Sequence, residues 1–294
     1  MESLRIVLRL NSASCLIFGA VFLVWSNGVS FFLGETPRWV ILTMGALLLV
    51  NGLHLLLASL RVRLLHFEIM YFAFGDYIWF VSTLIILASG QLITESEGMS
   101  AALTVAVLVI LLGCAQIWYL AEASNSGVPT EDSQLSQDDF LSRVYSRSAA
   151  IGVSWMALKT WVKIWLFVLN GLFIAAIAFW PEPLAKYILV GYAASGPLLF
   201  AIMAMQRGLT RLLGVAHLIP WLPLSVYLAF IIWNNLAATA HQLGYVVTLL
   251  ATILVCLLLD IFDVMRWLQG DRFCFGSVAA TRQINPKTKP STSH

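Results

Sequence analysis

Residues 39–60 read WVILTMGALLLVNGLHLLLASL, a run with no Asp, Glu, Lys or Arg and with apolar side chains on every face. As an α-helix this run is about 33 Å long, enough to cross a hydrocarbon core of about 30 Å. The other backbone arrangement that lipid tolerates is a closed β-barrel, whose strands alternate apolar and polar positions over about ten residues. No such alternation is present, so the run reads as a membrane-spanning helix.

Similar runs lie on either side. The predicted spans are 10–33, 39–60, 64–90, 101–121, 161–180, 184–205, 212–233 and 243–268. Composition agrees: of 294 residues, 60% are hydrophobic and 11% charged, with a mean hydropathy of +0.86. Soluble domains carry about 25% charged residues, so too little polar surface exists here to coat a soluble globule. The same figures exclude disordered, collagenous and disulfide-scaffold classes. A net charge of +2 argues against a nucleic-acid partner. The expected fold is an all-α polytopic transmembrane helix bundle of eight spans, with two parallel four-helix repeats as a candidate internal organisation.

Lysine and arginine mark the sides. One set of loops and helix ends carries Arg5, Arg9, Arg61, Arg63, Arg143, Arg147, Lys159, Lys163, Arg207, Arg211, Arg266, Arg272, Arg282, Lys287 and Lys289; the other carries Arg38 and Lys186. Both termini are therefore expected in the cytoplasm, and an odd number of spans would spoil the alternation. Tryptophan gives a second ruler, because its amphipathic ring favours the headgroup level. Trp25, Trp39, Trp180 and Trp233 fall at the outer edge, and Trp118, Trp155, Trp161, Trp165 and Trp267 at the inner edge. Only Trp79 and Trp221 fall near mid-span. Arg5 and Arg9 ahead of an apolar run imitate a secretory signal, but no small-x-small cleavage site follows Phe22–Trp25, so the first helix is expected to be retained. Cys15, Cys114, Cys256 and Cys274 show no metal-ligating spacing and are expected as reduced thiols.

The polar stretch at 124–148, rich in Ser, Asp and Gln, divides the chain. It is expected to be a cytoplasmic linker between a first four-helix unit, 1–123, and a second, 149–270, entered through an amphipathic segment near 149–158. A tail at 271–294 with no apolar periodicity beyond its start is expected to be cytoplasmic and disordered. A shift of 148 residues aligns Arg63-Leu64-Leu65 with Arg211-Leu212-Leu213, Trp79 with Tyr227, and Tyr119-Leu120 with Trp267-Leu268. Either an ancient duplication or two unrelated four-helix units accounts for such matches.

Within the first half stand Asn11-Ser12, Gly19, Gly34, Gly45, the basic pair Arg61/Arg63, and Asp76 with Trp79. On these marks residues about 5–121 resemble a group of small four-helix bacterial inner-membrane proteins of uncharacterised function. The resemblance implies a bacterial inner-membrane location and brings no activity with it.

Walker A, G-x-G-x-x-G, H-E-x-x-H and G-x-S-x-G motifs are absent from the sequence. The chemistry-bearing candidates are polar groups inside spans, each costly in lipid. Asp76 sits at the centre of the third span, about 20 Å from Arg63 along the helix, with Trp79 one turn on. It reads either as a titrating mid-membrane group or as a carboxyl held by hydroxyls and amides of neighbouring helices. Glu68, His54 and Asn51 share a depth near the cytoplasmic edge. They read either as a proton relay toward Asp76 or as a snorkelling ion pair of Glu68 with Arg61 or Arg63 beside a satisfied histidine.

Gly196 and Pro197 interrupt the sixth span, and Pro220, Trp221 and Pro223 the seventh. Each proline frees a backbone carbonyl, which suits a cavity lining or a simple kink. His217 with His54 or His66 shows no paired pattern for haem, and Asp260 and Asp263 beside Arg266 read as an interfacial ion pair rather than a metal site. Lys159 and Lys163 among Trp155, Trp161 and Trp165 read as an interface anchor.

No cofactor and no metal are expected. Expected partners are membrane lipids and either a membrane-protein partner or a second copy. The leading functional expectation is a small permease-like transporter, proton-coupled through Asp76, with the proline breaks lining its cavity. The competing one is a non-catalytic membrane scaffold or accessory subunit. A third, a lipid-modifying enzyme, lacks any nucleophile or metal constellation in the sequence.

Overall fold

The structure is a computed structural model and describes residues 2–61, 64–123, 151–152, 154–206 and 208–274. The polar linker at 124–148, most of the tail, and Arg63 and Arg207 lie outside the described residues. Among the described residues every regular element is helical, and eight helical segments are long and apolar enough to cross a membrane. The chain falls into two compact units, residues 1–129 and 130–294.

In the first unit α1 spans Glu2–Val24, α2 Ser26–Leu33, α3 Arg38–Leu60, α4 His66–Ser89 and α5 Ser96–Ala123. The first span begins eight residues earlier than its apolar run suggests, because Glu2, Arg5 and Arg9 extend the helix beyond the hydrocarbon depth. It breaks at Trp25, whose backbone leaves the helical region. α2 ends on Gly34 at φ +96°, where a Cβ would lie 2.0 Å from the Thr94 hydroxyl, so this cap accepts glycine alone.

α1 packs along α3 and α4 along α5, with α1 against α5 joining the pairs. Small residues set the α1–α3 approach: a Cβ on Gly19 would meet the Gly45 carbonyl at 3.0 Å, and Ser12 donates to the Gly52 carbonyl at 2.7 Å. Lipid tails are as apolar as leucine, so close backbone packing and interhelical hydrogen bonds, rather than hydrophobic burial, hold such helices together. Leu10, Ile17, Leu47, Val50 and Leu57 accordingly point outward. Inside, Leu4, Leu8, Leu55, Ile69 and Phe72 form an apolar cluster toward one end, and Phe80, Ala106 and Ile110 form another toward the opposite end.

In the second unit α6 spans Thr160–Ile174 and tightens into a 3₁₀ turn, Ala175–Phe179. α7 spans Pro183–Gln206; a 3₁₀ turn at Arg211–Leu213 leads into α8, Gly214–Trp233; α9 spans Ala240–Leu268. Thr239 caps α9, its hydroxyl accepting from the Gln242 N–H. At 29 residues α9 is about 43 Å long and outruns the hydrocarbon layer. The core is one continuous cluster rich in large side chains, including Phe173, Ile188, Trp221, Leu228, Leu249 and Ile253. Packed rings run through it: Phe173 lies 5.1 Å from Tyr192 and 4.8 Å from Trp221.

Candidate functional site

Asp76 lies between the two apolar clusters of the first unit, on α4, and is 4% exposed. Its Oδ2 accepts from Asn11 Nδ2 on α1 at 2.8 Å and from Gln116 Nε2 on α5 at 2.8 Å. Both amide residues are fully buried. The network extends to the second span: Asn11 Oδ1 accepts from the Cys15 thiol at 3.8 Å, and Asn51 Nδ2 on α3 donates to the Cys15 sulfur at 3.7 Å. A single polar chain thus touches all four membrane-length helices of the unit. Gly113 makes room for it, since a Cβ there would lie 3.0 Å from Asp76 Cβ. Two amide donors from two other helices converge on one oxygen and hold the side chain in one rotamer. Gln116 Oε1 is buried and has no hydrogen-bond partner among the described residues.

Of the other sequence candidates of this unit, Asn51 joins that node through Cys15, while Glu68 and His54 lie apart from it. Glu68 accepts from Arg61 at 2.5 Å, and His54 Nε2 lies 3.5 Å away. Phe72 is one helical turn from both Glu68 and Asp76 and packs edge-on against His54 at 4.8 Å, so a buried ring separates this trio from the node. Asn51 turns to Cys15 instead of to His54. Trp79 is half-buried one turn beyond Asp76, and the carboxyl's two donors are the amides rather than its indole. Arg63, the alternative partner of Glu68, lies outside the described residues.

At the far end of the unit a cleft of about 740 Å³ opens between Trp25, Phe31, Phe32, Glu35, Glu95 and Glu97. Its lining stops short of Asp76.

In the second unit the prolines sit inside continuous helices, Pro197 in α7 and Pro220 and Pro223 in α8. They do not share one environment: Pro220 and Trp221 are buried, Pro197 is half-buried, and Gly196 and Pro223 are exposed. Trp221 packs on Phe173 and stacks on His217 at 4.3 Å.

The acidic end of α9 is arranged differently from the sequence expectation. Asp263 pairs with Arg211 from the turn before α8, not with Arg266 on its own helix. Arg211 also donates to Asp271 at 2.8 Å. Asp260 meets His217 Nδ1 at 3.1 Å and accepts from the Cys256 thiol at 3.6 Å. Sequence reasoning missed Asn11 and Gln116 as partners of Asp76; uncharged amides deep within apolar runs were the available signal. It also missed the convergence of Cys256 and Asp260, four apart on one helix face, on His217.

No family model, curated protein or solved structure matches the chain. The resemblance of residues about 5–121 therefore rests on its own marks. Eight membrane-length helices make this a multi-pass membrane protein.

Proposed function

We propose that this chain is a non-catalytic scaffold or accessory subunit of a bacterial inner membrane, with both termini in the cytoplasm. Its partner would be another membrane protein or a second copy within the lipid. The observation that carries the reading is the sealed Asp76 carboxyl, bonded by the Asn11 and Gln116 amides from two other helices. A carboxyl so restrained suits the fixing of helix register better than the cyclic exchange of a proton or substrate. The orientation is supported by the fifteen-to-two division of basic residues, and the inner-membrane location by the resemblance of the first half.

A proton-coupled permease is the second reading, favoured by Gln116 Oε1, a buried acceptor next to the carboxyl with no partner among the described residues. A proton arriving at Asp76 would supply a donor there once the amide turned over. Asp76→Asn in reconstituted vesicles separates the two. The scaffold reading expects the wild-type chain to add no proton flux over empty vesicles and the variant to lower folding yield. A wild-type flux that vanishes in a well-folded variant would establish the permease instead.

A further inference from the structure

We propose that His217, Cys256 and Asp260 form a binding site for a divalent transition-metal cation of the zinc class. One ligand atom from each residue lies within 4.8 Å of the other two. His217 Nδ1 is 3.1 Å and Cys256 Sγ 3.6 Å from the same Asp260 oxygen. Around a tetrahedral zinc with bonds of about 2.0–2.3 Å, donor atoms stand about 3.3–3.8 Å apart. Two of the three separations are thus already near a coordination shell, and a modest side-chain rotation would close the third.

The fold builds this convergence. Cys256 and Asp260 share a face of α9 at i, i+4, and His217 comes from the first turn of α8. Gly214 permits the approach: a Cβ there would lie 2.9 Å from both the Cβ and the carbonyl oxygen of Asp260. Trp221 stacks on the His217 ring with the planes 17° apart, fixing its orientation. Such outer contacts orient metal ligands and tune their affinity.

Ligand chemistry selects the ion. Imidazole, thiolate and carboxylate together suit zinc and its neighbours, whereas calcium and magnesium require oxygen shells. Binding would release the thiol proton, leaving a neutral imidazole, two anions and a dication. That assembly carries no net charge, which suits a span, where an isolated charge is costly. Three protein ligands leave the fourth tetrahedral position for water or an incoming group. The side chains of His217 and Asp260 are 13% and 15% exposed, so an entry path need cross little structure.

The competing arrangement is a plain His217–Asp260 ion pair with Cys256 as an idle neighbour. Co2+ distinguishes them, because a cobalt–thiolate bond gives a charge-transfer absorption that an ion pair cannot. The full chain in detergent, stripped with chelator and titrated with Co2+, should take up one ion per chain with that absorption, and Zn2+ should displace it. Cys256→Ser should abolish the absorption. Asp260→Asn and His217→Gln should weaken Co2+ binding by about tenfold or more, while Cys114→Ser changes neither. Absence of the absorption in folded wild-type protein, or its survival in Cys256→Ser, overturns the site. Should a ligand variant fail to fold, maleimide labelling of the wild-type chain decides. Zn2+ should protect Cys256, located by mass spectrometry, and equal labelling with and without Zn2+ overturns the proposal.

Discussion

The two four-span units solve one problem in different ways. Neither can rely on water to drive its helices together, so each needs contacts that are specific in lipid. The first unit uses small residues and a central polar node: Gly19 against Gly45, Ser12 against Gly52, and Asp76 bonded by Asn11 and Gln116. The second fills its centre with rings and branched chains around Phe173 and Trp221, and places its charged groups toward the two ends of its helices. Polar bonding centres on one buried carboxyl in the first unit, whereas in the second the tyrosine bonds of Tyr192 to Asn170 and of Tyr245 to the Leu172 carbonyl flank a core of complementary apolar shapes. Removing the Asp76 carboxyl, which ties three helices, should therefore cost more than removing a hydroxyl bonded within its own helix.

The sharpest contrast is between Asp76→Ala and Ser225→Ala. The first strands two buried amides and opens a small cavity, for an expected loss of about 2–4 kcal/mol. Ser225 donates only to the Leu222 carbonyl of its own helix at 2.7 Å, and its removal should cost under about 0.5 kcal/mol. Detergent unfolding curves check both, with thiol labelling of buried Cys15 reporting on the first unit. Comparable losses for the two would erase the distinction.

Next in size is the glycine pair Gly19→Val and Gly244→Ala. The first forces α1 away from Leu49 and the Gly45 carbonyl and should destabilise by about 1–3 kcal/mol. Nothing lies within 4 Å of a Cβ on Gly244, so alanine there should stabilise by up to about 1 kcal/mol through helix propensity. Opposite signs in the same unfolding assay are expected.

The smallest effects concern arginines. Arg211 bridges Asp263 and Asp271 and is itself partly buried. Arg61 meets Glu68 from a side chain 47% exposed. Arg211→Ala should cost about 1–2 kcal/mol and Arg61→Ala at most about 0.5, with the Arg61 effect vanishing in high salt. A larger loss for Arg61 would place the more important basic contact in the other unit.

Spans were legible from the sequence because the lipid constraint acts on runs of residues, and runs such as 39–60 survive any detail of packing. Eight membrane-length helices are observed as expected, with bounds that differ where Glu2–Arg9 continues α1, where the break at Trp25 sets Ser26–Leu33 apart as α2, and where the 3₁₀ turn at Ala175–Phe179 closes the fifth span. Asp76 also stood out, since a lone carboxylate at mid-span is conspicuous. Its partners did not. Asn11 and Gln116 carry no charge and lie 65 and 40 residues away, so only the helix arrangement shows that they meet on one oxygen. Periodicity places a residue on a face but does not say which neighbour that face meets. The same reason hid the His217–Asp260 contact and sent Asp263 to Arg211 rather than to Arg266.

A packing role for Asp76 requires that its bonds tie helices together. A double-mutant cycle with Asp76→Ala and Asn11→Ala, read by reversible unfolding in detergent, measures that tie directly. A coupling of about 1 kcal/mol or more is expected, toward the upper range for hydrogen bonds inside membranes. Strictly additive losses would mean that carboxyl and amide do not act on each other, and the packing role assigned to Asp76 would be wrong.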